Sequence, residues 1–385
     1  MKLDGIRVLD LSRFLPGPYI GLVMADHGAE VIKVESFDGE PTRHLGPPVK
    51  GHPVYFRNTQ RGKKSLRLNL KAPEGVEIFL QLADEADVII DSFRPGVVDK
   101  LGIGYNAVRA RNPGIVYCSI SAFGQTGSMA QRPSHDMGAQ ALTGVLSLGQ
   151  TDGKPPSLPT TPIADIAQGS LALVGIVMAL YRRAQTGEGD LIDMAMTDAL
   201  MSWQPHIISD VIANERAPEL HNERLYGGAA FYNVYRTKDD RHLVLSGAEM
   251  NFVENLLNAL ERPDLIDLCR QPWGAAQDPV KDFLSATFAT KTLNEWRTWM
   301  EDVRVCYAPV LDLHEGWHEP YLRERGIIST GADGVERLDT PVRYREEPGG
   351  PSDQLSELGE DTDAILERLG YTSEQRQQLR DAGVC

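Results

Sequence analysis

The sequence predicts an α/β chain, with a Rossmann-like large domain built on a mostly parallel sheet and a smaller α+β domain after it. Three observations predict this. Over the first 200 residues strand-like runs alternate with helix-like ones, the pattern of βα units around a parallel sheet. The stretch "NERAPELHNERLYGGAA" (214–230) is polar and loop-like. Beyond it the pattern changes to a hairpin and short helices.

Taken in order, "IRVLDLS" (6–12) is a short β run, and "YIGLVMADHG" (19–28) is helical and closed by Gly28. "EVIKVE" (30–35) is β again, and "SLRLNL" (65–70) alternates apolar and polar residues. "APEGVEIFLQLADEA" (72–86) has helical periodicity with Pro73 in its first turn. "DVIIDSF" (87–93) and "GIVYCSISAF" (114–123) have the continuous apolar character of buried strands. "DIAQGSLALVGIVMALYRRAQTG" (165–187) predicts one long buried helix ending near Gly187, followed by the strand "GDLIDMAM" and another helix. "FYNVYRTKDDRHLVLSG" (231–247) predicts a hairpin turning at Asp239-Asp240, and "MNFVENLLNAL" and "TLNEWRTWM" predict short helices. The expected large domain spans 1–213 and is completed by the tail 330–385. The small domain spans 225–325, with linkers at 214–224 and 326–353.

The chain has 385 residues, 42% hydrophobic and 24% charged, which suits a globular protein with a buried core. Its net charge of −15 argues against nucleic acid as a partner, since phosphate backbones need a basic field. A local Arg/Lys cluster for a small anion stays possible. Cys118, Cys269, Cys306 and Cys385 lack metal-site or CxxC spacing, which points to free thiols in a reducing compartment. The N-terminal run "MKLDGIRVLDLS" lacks the apolar core and cleavage site of a signal peptide. The run "LALVGIVMAL" (171–180) is too short to span a bilayer. The expectation is a cytoplasmic protein without a membrane partner.

The first βα turn, "LSRFLPGPYIG", lacks GxGxxG, so a nicotinamide dehydrogenase is not expected. Walker A and HExxH sequences are absent, and no metal site is expected among the scattered histidines. Four features remain. "RPSHDMG" (132–138) places His135 and Asp136 after the carboxyl end of a predicted strand, where sites in open α/β sheets form. On position alone His135 is either a solvated loop histidine or a proton-transfer group. Asp165, in "PIADIAQG", starts an apolar helix; it is either an N-cap or a carboxylate tuned by its surroundings. Glu249, in "LSGAEMNF", sits at a hairpin-to-helix junction and can equally be a helix-start acid. Arg61, Lys63, Lys64, Arg94 and Lys100 are expected in loops near strand ends, as phosphate contacts or as solubility charges.

Together these stretches resemble the family III CoA-transferases (the CaiB/BaiF family), which also contain the α-methylacyl-CoA racemases. The matching segments run in order through nearly the whole chain. They include "DGIRVLDLSRFLPGP", "RGKKSLRLNLKAPEG", "DVIIDSFRPGVVDKLGIGY", "HDMGAQALTG", "PIADIAQGSLALVGIVMAL" and "LGYTSEQRQQLRDAGV". The resemblance implies a homodimer of interlocked chains, an acyl-CoA thioester as substrate, and no permanently bound cofactor beyond the coenzyme A that the substrate carries. It implies that Asp165 matches the aspartate that attacks the acyl carbonyl in the transferases. In the racemases His135 matches the histidine of a Gly-His-Asp motif completed by Asp136, and Glu249 matches a small-domain glutamate. His135, the "GAEMNF" around Glu249, the absence of a "GGGGQ"-type loop and Tyr232 in "FYNVY" resemble the racemase branch most closely. By the same positional carry-over, coenzyme A is expected near Phe14, Leu15, Pro16, Lys33, Phe93, Arg94, Lys100 and Tyr232. Ser134, Gly138, Ala139 and Thr161 depart from the usual racemase residues around the acyl pocket. A transferase moving CoA to a carboxylic acid, intramolecularly or between molecules, is the alternative.

Overall fold

Successive side chains of a strand point to opposite faces of its sheet, and the strands of this chain supply apolar residues to both. The computed structural model describes residues 1–150 and 154–385. The chain divides into two compact units, Met1–Trp203 with Pro320–Cys385, and Gln204–Glu319. The division lies ahead of the polar 214–224 stretch, so that stretch belongs inside the second unit.

The first unit contains β1 (Arg7–Asp10), α1 (Pro16–Asp26), β2 (Glu30–Glu35), β3 (Lys63–Arg67), α2 (Pro73–Asp84), β4 (Val88–Asp91), β5 (Val116–Ser121), α3 (Asp136–Leu142), α4 (Ile163–Thr186) and β6 (Leu191–Ala195). Six strands form one sheet in the order β3-β2-β1-β4-β5-β6, and every pairing is parallel. The chain moves outward from β1 to β3, then crosses back to the other side of β1. The switch point between β1 and β4 is where open sheets of this order leave a crevice at the carboxyl strand ends. Val8, Val31, Val88, Ile90 and Val116 face a core closed by Ile20 and Met24 of α1 and Ala172 and Ile176 of α4. Leu9, Ile32, Ile89 and Tyr117 face the opposite core, closed by Ile78, Phe79 and Leu82 of α2. Ile365, Leu366, Val384 and Cys385 pack into that second core, which ties the C-terminal tail to the first unit.

Three elements differ from expectation. Helix α1 starts at Pro16, a turn earlier than its apolar run, because proline suits the first helical turn. β3 starts at Lys63, so Lys63 and Lys64 are strand residues and not loop cations. Helix α4 is not buried all round: Ala164, Ala167, Gly169, Ala172 and Ile176 face inward, whereas Val174, Val177, Met178 and Tyr181 are exposed. It has 24 residues and is long and apolar enough to cross a membrane by length and composition, which the ten-residue apolar run did not show. Its inward face is nevertheless packed in the sheet core.

The second unit contains β7 (Tyr232–Arg236), β8 (His242–Ser246), α5 (Met250–Ala259) and β9 (Tyr307–Pro309). β7 and β8 form the antiparallel hairpin, and β9 pairs with β8 on its other side. Asp240 takes a left-handed φ of 61° in the hairpin turn. Phe231, Tyr235, Leu243, Leu245, Val253, Leu256 and Trp296 form this unit's own core.

At the carboxyl end of β1 a charge cluster is sealed inside the first unit. Asp10 is fully buried and accepts from Lys63 Nζ at 2.9 Å and from Lys33 Nζ at 3.3 Å. Burial pushes its pKa up, but the two ammonium groups and Ser12 outweigh burial and hold it well below the usual carboxylate range. Burial pushes Lys63 down to about 8 against the pull of Asp10. Gly21 of α1 permits the approach, because a Cβ there would stand 2.9 Å from Asp10 Oδ2 and 3.0 Å from Lys63 Nζ. Asp10→Asn leaves Lys63 without its carboxylate partner and Lys33 with Glu40 alone, and is expected to cost about 3–5 kcal/mol in urea unfolding. A loss under about 1 kcal/mol would show that water reaches the cluster.

Candidate active site

The site is built at the carboxyl strand ends of the first unit. The turn after β1 is held from below. Glu40, 2% exposed, accepts the Phe14 amide through Oε1 at 2.9 Å, and its other oxygen lies 3.4 Å from Lys33 Nζ. This holds Phe14 at φ 65°, a left-handed conformation that a bulky residue adopts only where its surroundings enforce it. The exposed Phe14 ring stands edge-on to His135, centroids 6.1 Å apart.

His135 is the N-cap residue of α3 but makes no side-chain cap. Its imidazole is exposed and has no hydrogen-bond partner among the described residues. Asp136 begins the helix, and its carboxylate reaches to α4. Oδ1 accepts from the amides of Ala164 at 2.7 Å and Asp165 at 3.3 Å, and Oδ2 accepts from Gln140 Nε2 at 2.7 Å. Asp165 is therefore not the cap of its helix. The cap residue is Pro162, which has no acceptor side chain, so the orphan amides take Asp136 instead. Asp165 sits in the first turn, half-buried, and is pushed up to about 7, first by burial and then by the negative charge of Asp136. Tyr55, on the helix Val54–Gln60, is pushed up to about 12 by burial and by the charges of Asp165 and Glu40.

Beside the turn lies a cleft of about 410 Å³ at the switch point, lined by Arg13, Phe37, Asp38, Lys71, Phe93 and Leu101 among others. Asp91 orders its rim, accepting the Phe93 amide at 2.9 Å and the Ser119 hydroxyl at 2.6 Å. In the second unit Glu249 precedes α5, is exposed, and pairs with Arg224 at 3.1 Å.

Residues 3–362 match CoA-transferase family III. The chain belongs to that family. It is 34% identical to human alpha-methylacyl-CoA racemase over 98% of this chain and 96% of that protein. It is 32% identical to mouse succinyl-CoA:glutarate CoA-transferase over 99% of this chain and 90% of that protein. Among solved structures, a CAIB/BAIF family protein from Brucella suis superposes with a TM-score of 0.82 at 30% identity, covering 95% of this chain and 99% of that one.

In this family III chain the sequence-predicted residues fall into three groups. His135, Asp136 and Asp165 are brought together in the first unit, with Phe14 against His135. Leu15 and Pro16 lie at the start of α1, Phe93 lines the cleft, and Arg94 and Lys100 are exposed nearby in sequence. Glu249 and Tyr232 belong to the second unit, Tyr232 paired across the hairpin with Ser246. Several expected phosphate contacts are occupied otherwise. Lys33 is 4% exposed, and its ammonium is held by Asp10, Glu40 and the Ser12 carbonyl. Lys63 is sealed beside Asp10, Arg61 is buried against Asp26, and Lys64 pairs with Glu30 at 2.6 Å. Sequence reasoning missed Glu40, Tyr55, Arg13 and Lys71, whose proximity arises only from tertiary folding.

Asp136→Asn keeps an acceptor oxygen but removes the charge. The Asp165 midpoint, read from carboxyl NMR titration, is expected to fall from about 7 toward the ordinary carboxylate value. An unmoved midpoint would show that burial alone sets it. The raised Asp165 pKa favours the fold at low pH, and that contribution is lost as pH rises through about 7. Asp165→Asn is therefore expected to gain stability relative to the native chain between about pH 4 and 7, measured by thermal unfolding.

Proposed function

We propose that this chain is a 2-methylacyl-CoA racemase in which His135 and Asp165 exchange the α-proton. The observation that carries the reading is the half-buried Asp165 carboxyl group, pushed up to about 7 by burial and the Asp136 charge, at a helix start tied through Asp136 to the turn bearing an unengaged histidine. Acid–base catalysis works best with groups poised near the operating pH. One of the pair removes the α-proton of the thioester, and the electron pair moves onto the thioester oxygen as an enolate. The conjugate acid of the other delivers a proton to the opposite face. Each turnover leaves the two groups with exchanged protonation states, and the reverse turnover restores them. Glu249 is carried over as the small-domain glutamate of the racemase pattern. The similarity to the human racemase supports the assignment.

The cleft at the switch point suits the nucleotide end of the acyl-CoA, with Phe37 and Phe93 as apolar walls and Arg13 and Lys71 as lining cations; Arg94 and Lys100 adjoin the lining residues Phe93 and Leu101 in sequence. In our reading the first unit is Rossmann-like and the chain works as an interlocked homodimer. The exposed apolar face of α4 supports a second copy, because Val174, Val177, Met178 and Tyr181 form a stripe of the kind that marks an interface. Four free cysteines fit a cytoplasmic setting.

A second reading has its own support, since several similar proteins are CoA-transferases. In it the Asp165 carboxylate attacks the acyl carbonyl and expels CoA as thiolate, giving a mixed anhydride. CoA then attacks the Asp165 carbonyl and releases the acid. A second carboxylate attacks the Asp165 thioester carbonyl and expels CoA as thiolate, giving a new mixed anhydride. CoA attacks the acceptor's acyl carbon of that anhydride, forming the new thioester and freeing the Asp165 carboxylate.

Incubation of a 2-methylacyl-CoA in deuterium oxide separates the two. The racemase reading expects deuterium at the α-carbon and a loss of roughly 10²–10⁴-fold in His135→Ala. No deuterium uptake, with CoA passing to an added acid and an Asp165 adduct trapped by hydroxylamine, would overturn it. For the dimer, Met178→Asp with Tyr181→Asp is expected to convert a dimer to monomer in sedimentation velocity. A native chain that sediments as a monomer would refute the assembly.

A further inference from the structure

After β9 the second unit carries a short helix, Leu313–Trp317. A capping box fixes its start: Asp312 accepts the Glu315 amide at 2.8 Å, and Glu315 accepts the Asp312 amide at 2.9 Å. Arg241 grips both Glu315 oxygens, at 3.0 Å and 2.7 Å. The His318 amide closes the helix by donating to the carbonyls of His314 at 3.3 Å and Glu315 at 3.0 Å. The frame is tied at both ends, and it carries His314 and His318 four residues apart, the spacing that puts two side chains on one helix face. Both histidines are exposed, and their rings stand with centroids 4.5 Å apart at 41° to each other.

His318 Nδ1 lies 2.8 Å from the His314 carbonyl oxygen. A carbonyl only accepts, so Nδ1 carries the proton, and the neutral ring keeps its lone pair on Nε2. Metal-ligating histidines ordinarily use their other ring nitrogen in this way, which fixes both tautomer and ring orientation. The His314 ring has no hydrogen-bond partner among the described residues, so it is free to turn toward the same ion. Two Zn–N bonds of roughly 2.0–2.1 Å let the liganding nitrogens stand up to about 4 Å apart, a span that rings this close can meet. Glu315, the carboxylate within the helix, is already held by Arg241. Among the described residues no group of three or more His, Cys, Asp or Glu is placed to share an ion, so water must complete the coordination. Imidazole suits Zn²⁺, Ni²⁺ and Cu²⁺, whereas Mg²⁺ and Ca²⁺ prefer oxygen ligands. We propose that His314 and His318 form a two-histidine chelate for a divalent transition-metal ion of the zinc class. The ion staples the first turn of this helix to its C-terminal cap. The inference does not depend on whether Asp165 serves proton exchange or CoA transfer.

The test is calorimetric titration of the metal-free, full-length chain with zinc chloride, repeated with magnesium chloride. The tightest Zn²⁺ site is expected to hold one ion per chain and to ignore Mg²⁺. His314→Gln and His318→Gln are each expected to weaken that site tenfold or more. The double variant is expected to be no weaker than the weaker single one, because a chelate is lost whole when either ring goes. His221→Gln, which removes an exposed histidine elsewhere in the unit, is expected to leave the affinity unchanged. In the native chain, proton NMR is expected to show two of the nine imidazole Cε1–H resonances moving with one midpoint as Zn²⁺ is added. That measurement needs no variant, so it stands even if a substitution harms folding. Absence of Zn²⁺ binding with the metal in excess would overturn the proposal. So would equal binding of Mg²⁺, a loss under tenfold in either single variant, losses that add in the double variant, weakening by His221→Gln, or any other number of resonances sharing the midpoint.

Discussion

Two carboxylates compete for one helix N-terminus, and the chemistry of the first unit follows from which one holds it. An acid in the first turn of a helix is ordinarily stabilised as an anion by the orphan amides and the dipole. Asp165 occupies such a position, yet the Ala164 and Asp165 amides are engaged by Asp136. Asp165 receives a neighbouring negative charge where it would have received the amides. With burial added, its midpoint moves to about 7. The same contact anchors the start of α3, where His135 stands, to the start of α4, where Asp165 stands. Adjacency of histidine and aspartate in the sequence thus has a mechanical meaning: one side chain is presented and the next one fastens the presenting turn.

A second constraint lies beneath the first. Glu40, Lys33, Asp10 and Lys63 form a chain of charges inside the protein, and removal of any one takes a charge partner from its neighbours in a low-dielectric setting. Such a cluster is weak evidence for stability but a strong device for fixing geometry. Its outlet is the bond from Glu40 to the Phe14 amide, which maintains a left-handed residue at the mouth of the turn. The Phe14 ring is therefore held against His135 by charges that never meet solvent.

Much of this architecture was legible in the sequence, for identifiable reasons. Buried parallel strands such as "DVIIDSF" announce themselves as continuous apolar runs, and the parallel pairing follows from their alternation with helices. His135, Asp136 and Asp165 were legible as candidates because a strand end and a helix start are local features. Whether Asp165 caps its helix stayed open in the sequence, because Asp136, which accepts the Ala164 amide, lies 28 residues upstream of it. Lys33, Lys63 and Arg61 were read as available cations because a sequence shows charge without showing its partner. Glu40 and Tyr55 carried no local signal at all, since both matter only through the fold that brings them to Phe14 and Asp165.

Helix α4 shows how one element divides its duties along its length. Its first turn holds Asp165, its inward face fills the sheet core, and its outward face leaves Val174, Val177, Met178 and Tyr181 in solvent. At 1.5 Å rise per residue, Met178 lies about 20 Å along the axis from Asp165. A partner covering that stripe would therefore stabilise the helix without desolvating the carboxyl group directly. The raised midpoint of Asp165 needs no such cover, because its two causes, burial within its own unit and the charge of Asp136, are already present in a single chain. Acid–base tuning and association are thus physically separate properties of one helix, and a surface substitution near residue 178 can alter the second while leaving the first intact.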